Sequence, residues 1–154
     1  MSGLRCPSTE EVPLDTRNWH DNAVHGLSFR NPSEVAGTST LVLDIDHILE
    51  WIQVGRSFEF IVVPALLRFH GCFKFKMTVD YSNGPIAVEA FSIDGIERTI
   101  AHTQYGECTT YRIPINSPSG VIEFEATSWS LEYTGEPVRS SQMSLPRQDS
   151  QLDV

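Results

Sequence analysis

From Ala65 to Val79 the chain alternates strictly enough to dictate its backbone. Ala65, Leu67, Phe69, Phe73, Phe75, Met77 and Val79 share one parity, while Arg68, His70, Lys74, Lys76, Thr78 and Asp80 share the other. Successive side chains of an extended chain point to opposite faces, so this pattern writes one buried and one wet face onto a strand. It predicts that Leu67, Phe69, Phe73, Phe75 and Met77 are buried and that Lys74, Lys76 and Thr78 are exposed. A straight strand of that length would run roughly 50 Å at about 3.3 Å per residue, more than one small domain can use. Gly71 is therefore expected to bend or interrupt it.

The same grammar recurs between turn signals: Pro32 and Gly37, Gly55, Asn83-Gly84, Asp94-Gly95 and Pro118. Asn-Gly and Asp-Gly tolerate the positive φ of tight hairpin turns, so each of those pairs is expected to reverse the chain between two strands. Candidate strands are Val24 to Phe29, Leu41 to Asp46, Phe58 to Val63, Ala65 to Asp80 with its break, Ile86 to Ile93, Ile96 to Ala101, Thr110 to Ile115 and Val121 to Tyr133. In the last, apolar parity switches from Ile122, Phe124 and Ala126 to Trp129, Leu131 and Tyr133, which locates a β-bulge or corner near Thr127 or Ser128. Leu41 to Val54 fits a strand and also a helical face. The Asp44 and Asp46 alternation favours the strand, with a helical turn around His47 to Trp51 as the alternative.

The expected architecture is all-β: a single antiparallel sandwich or partly open barrel of about seven to eight strands. One domain suits 154 residues with 40% hydrophobic content. It is placed at 18–133, between an N-terminal arm at 1–17 and a tail at 134–154. The tail carries Gly135, Pro137, Pro146 and four serines but little apolar surface, so it is expected to be flexible.

Eleven Lys and Arg oppose twenty Asp and Glu, a net charge of -9. A surface of that sign repels phosphate backbones and anionic lipid, so neither nucleic acid nor a membrane is an expected partner. Cys6, Cys72 and Cys108 are odd in number and contain no CxxC, which points to passive thiols in a reducing compartment. With no apolar run of signal-peptide length in Met1 to Arg17, the expectation is a cytoplasmic protein.

Two polar islands carry what chemistry the sequence offers: Asn18-Trp19-His20-Asp21 with His25, and Leu43-Asp44-Ile45-Asp46-His47. Trp19-His20-Asp21 followed by Leu43-Asp44-Ile45-Asp46, Ile48 and Trp51 resembles an uncharacterised group of small bacterial β-rich domains. That resemblance implies the architecture and no activity. By residue type, His20, Asp21, Asp44 and Asp46, with His25 and His47 beside them, are the candidate ligands for a divalent metal. Their spacing matches no metal motif, and the alternative is a set of hydrogen-bonded structural pairs needing no cofactor. No catalytic residues are assigned: a Ser elbow is absent, and Cys72 and Cys108 lack an electropositive setting. Trp19, Trp51 and Trp129 are expected to pack in the core.

The favoured function is a non-enzymatic, acidic protein-binding module of the immunity or inhibitor kind, with a protein partner and no assigned oligomeric state. Its rivals are a metal-dependent enzyme or metal-binding protein using the His/Asp group, and a small-ligand barrel lined by Phe69, Phe73, Phe75 and Trp129.

Overall fold

The computed structural model describes Leu14 and residues 18–30, 37–82, 91–104, 106–117 and 119–146, with the backbone alone for Thr103 and Ser117. Nine strands and no helix occur among the described residues: β1 (Asn22–Arg30), β2 (Ser39–Val54), β3 (Ser57–Val79), β4 (Phe91–Ile93), β5 (Glu97–Thr103), β6 (Gly106–Ser117), β7 (Ser119–Ala126), β8 (Ser128–Tyr133) and β9 (Val138–Ser140). All pair antiparallel, in one sheet whose order β2-β1-β4-β6-β7-β3 closes on itself through β2–β3. The result is ring-like without being a regular barrel, because β3 pairs with β2 over its first part and with β7 only from Phe73 onward.

Ring closure gathers alternate residues of β2, β3, β6 and β7 into one core. Leu41, Leu43 and Ile45 of β2 meet Ala65, Leu67 and Phe69 of β3, and Tyr111, Ile113, Ile122 and Phe124 join from β6 and β7, all within one cluster. These residues are 2% exposed or less. Lys74, Lys76 and Thr78 are exposed, as the alternation predicts.

The parity reading fails at Phe73 and at Met77, for different reasons. Gly71 adopts φ 63° and Lys74 φ 52°, two left-handed kinks three residues apart. The first flips the facing, so Cys72 turns into the core and Phe73 turns out to 37% exposure. The second flips it back through a bulge between Phe73 and Lys76, and Phe75 and Val79 again pack against the core. Met77, expected to be buried, lies near the strand's end at 37% exposure. The strand thus stays hydrogen-bonded for 23 residues while bending in the middle.

That bend has a counterpart. β8 runs beside Ala65 to His70 and β7 beside Phe73 to Val79, so the β7–β8 break at Thr127 lies opposite Gly71. Thr127 donates both its N–H and its hydroxyl to the His70 carbonyl, each at 2.9 Å. The expected irregularity near Thr127 is the corner that lets two strands track one bent partner.

One turn expectation needs correction. Asp94-Gly95 is not a hairpin turn: β4 and β5 both lie along β6, Ile93 opposite Ile115 and Glu97 opposite Arg112. Four steps therefore face three, which makes the pair a bulge, anchored by the Asp94 N–H on the Pro114 carbonyl at 2.8 Å. No helical turn interrupts β2; the apolar spacing that suggested one comes from a register shift between Ile48 and Glu50. Asn83-Gly84 lies outside the described residues.

The segment expected to be a flexible tail is docked as far as Leu145. β9 pairs Val138, Arg139 and Ser140 with Val62, Ile61 and Phe60, and Arg139 pairs with Glu59. Farther on, Leu145 packs on Ile48, Phe60 and Val62, a second apolar cluster outside the ring. Composition hid this because one leucine and three backbone pairs suffice when the surface beneath is already apolar. Deleting Glu136 to Val154 is expected to cost about 2 kcal/mol, mostly from re-exposing that cluster. Denaturant titration checks it, and an unshifted midpoint would show the docking to be energetically empty.

Candidate functional site

The first polar island sits where β1 enters the sheet. Trp19 turns inward at 2% exposure, its indole N–H donating to the Leu14 carbonyl at 3.0 Å and its ring lying 4.7 Å from that of His47. With Trp19 committed to the core, His20 points outward, its N–H held by the Asn18 side-chain oxygen at 3.0 Å. Its Nδ1 lies 2.5 Å from Asp94 Oδ1 and its Nε2 3.2 Å from Asp21 Oδ2. Asp21 itself takes φ 62°, gives its N–H to the Ile93 carbonyl, and accepts from Asn116 Nδ2 at 2.6 Å. Both ring nitrogens of His20 are thus spoken for by carboxylates, and the bulge at Asp94 supplies one of them.

The second island is split by strand alternation. His47 faces inward at 2% exposure, its Nδ1 2.8 Å from Asn22 Nδ2, while Asn22 Oδ1 accepts the Ile48 N–H at 3.2 Å. Asp46 faces the other way and is fully buried beneath the docked C-terminal segment. Its Oδ2 accepts from the Leu145 N–H at 2.7 Å and lies 2.6 Å from His25 Nε2, with the Ser144 hydroxyl at 3.4 Å. Asp44, two residues earlier, is half-buried.

His20 and Asp21 therefore belong to a set with Asp94 and Asn116, and Asp46 to a set with His25 and Leu145. Among the described residues no group of three or more His, Cys, Asp or Glu is placed to hold a metal ion. The physical cause is local: on a strand, neighbours such as Asp46 and His47 diverge, and His20, Asp21, Asp46 and His47 already answer protein partners. Asp94, Asn116 and Asn22 were not among the sequence candidates. Nothing in the local sequence marks them, since each becomes a partner through strand pairing.

The thiols are poorly suited to nucleophilic work. Cys72 is in the core, where burial pushes its pKa up to about 11. Cys108 donates its S–H to Glu125 Oε1 at 2.8 Å, and that bond foremost raises its pKa, so it rests as the thiol at neutral pH. Cys6 lies outside the described residues. The ring interior is occupied by core side chains, Phe69 among them; Phe73 points away from it, and Trp129 packs partly buried at its margin.

What the fold does present is a projecting hairpin. β1 leaves β2 at Asp46, so from His47 to Val54 the pairing of β2 is with β3, closing at Val54 opposite Ser57. Trp51 is 36% exposed and Phe58 46%, ring centroids 6.0 Å apart and nearly perpendicular, and Trp51 leans on Phe60 at 4.9 Å. His20 stacks on the Trp51 ring at 6.3 Å, joining the polar site to the aromatic one. The expectation that all three tryptophans pack in the core fails here, because the hairpin outruns the ring that would have covered it. No protein-family model matches the chain, and no curated protein matches it significantly.

Proposed function

We propose that this chain is a non-catalytic protein-binding module, acting in the cytoplasm through the exposed end of the β2–β3 hairpin. The carrying observation is the outward aromatic pair Trp51 and Phe58 on a hairpin that projects beyond the ring. Aromatic side chains of this size dominate binding energy when a partner desolvates them, and Trp is the residue most enriched at such positions. The net charge of -9 favours a basic partner, because complementary charge speeds encounter and suppresses wrong pairings. An acidic inhibitor or immunity protein that neutralises a basic enzyme has this character.

The test is a comparison of variants rather than of preparations. A partner captured by the wild-type chain should bind the Trp51→Ala variant at least about 30-fold more weakly, the loss of about 2 kcal/mol or more that defines an anchor residue. Its association rate should fall as salt rises from 50 to 300 mM, while melting temperature stays unchanged. Binding indifferent to Trp51→Ala and Phe58→Ala together would overturn the assignment of this surface.

A further inference from the structure

The two kinks in β3 build something besides a bend. By turning Phe73 outward and inserting Lys74 as an extra residue, they open a cleft of about 820 Å³ where β3 and β7 meet the β5–β6 hairpin. Its walls include Phe73, Ala101 and Ala126, with Glu107 at one side. At its floor Glu125 is only 17% exposed. The Cys108 thiol hydrogen-bonds one carboxylate oxygen at 2.8 Å, while the other oxygen is buried and has an ion pair rather than a hydrogen bond, to Lys74 Nζ at 3.3 Å.

The Lys74 side chain is 71% exposed. Its ammonium also lies 5.7 Å from the centre of the Phe73 ring. An ion pair with so solvated a partner holds weakly, whereas the carboxylate, aromatic face and apolar walls are fixed in the sheet. Backbone strain at a non-glycine residue and a bulge beside a cleft are both features that gather at binding sites.

We infer that this cleft binds an alkylammonium group, with Glu125 as counter-ion, Phe73 as the face on which the cation rests and Lys74 as the internal occupant it displaces. The volume lies in the range that takes small organic ligands, and Ala101 and Ala126 leave room for an alkyl stem. Glu107, which faces His102 at 3.6 Å, adds a second negative charge for an amine extending outward. The site lies apart from the hairpin surface and does not depend on it.

n-Butylammonium is the probe, titrated calorimetrically into the full chain. Lys74→Ala should bind it about threefold more tightly than wild type, the gain expected if a weakly held internal competitor occupies the site about two-thirds of the time. Glu125→Gln in that background should lose the gain, and neutral n-butanol should not bind. Occupancy should also slow alkylation of Cys108 by iodoacetamide, followed on its own peptide by mass spectrometry. Spermidine and a blocked Gly-Lys-Gly peptide then tell a free amine from a lysine side chain as the source, by which binds Lys74→Ala more tightly. If Lys74→Ala leaves affinity unchanged or lowers it, or if Cys108 is not protected, the inference is wrong. Should Glu125→Gln fail to fold, the Cys108 protection measured on Lys74→Ala decides.

Discussion

Replacing Phe69 with alanine should destabilise the protein by about 4 kcal/mol, the scale of a buried aromatic ring lost from a core that cannot collapse around the void. Phe69 is fully buried, with its ring 4.7 Å from Phe124 and 4.9 Å from Tyr111, at the meeting of β3, β6 and β7. Its loss removes apolar burial and two ring contacts together. Against a domain stability of about 5 to 15 kcal/mol, such a change shifts a denaturation midpoint far beyond error. Phe58→Ala supplies the contrast: at 46% exposure on the hairpin it should change stability by no more than about 0.5 kcal/mol. Equal effects from the two substitutions would mean that the inward and outward faces of β3 are misassigned.

Gly71→Ala should be nearly as costly, for a different reason. At φ 63° a side chain meets its own backbone, a penalty of roughly 1 to 2 kcal/mol. A Cβ there would also stand 2.7 Å from the Thr127 hydroxyl, which is held in place by its bond to the His70 carbonyl. Together these should cost about 3 kcal/mol. Adding Thr127→Ala should recover part of the loss by making room, while the backbone penalty stays. Full recovery, or none, in equilibrium unfolding would show that only one of the two causes operates. Because the kink orients Phe73, the single variant should also disturb the cleft at Lys74 and Glu125.

Much of the fold was legible because alternation is a local property. Leu41, Leu43 and Ile45 and then Leu67 and Phe69 announce an inward face wherever the strand runs true, and Gly71 and Thr127 announce where it does not. The inversion at Cys72 and Phe73 is not legible, because a second irregularity at Lys74 restores the parity that the bend at Gly71 breaks. A pattern read from its two ends cannot show an inversion that begins and ends inside it.

The candidate site was less legible, since its pairings are long-range. His20 could be seen as a polar residue beside Asp21, but Asp94 reaches it across 74 positions, and the Leu145 N–H reaches Asp46 across 99. Asp46 and His47 read as one group in sequence and face opposite ways in space.

The sequence by itself determined the strand chemistry, the acidic surface and the place of the central bend, since each rests on side chains within a few residues of one another. Only the tertiary structure decided that the sheet closes into a ring, that the C-terminal segment docks over Asp46, that Trp51 stands exposed and that Lys74 meets Glu125. Those outcomes depend on which strands become neighbours, and no local pattern specifies pairing, because one alternating face offers the same apolar surface to every partner it could take.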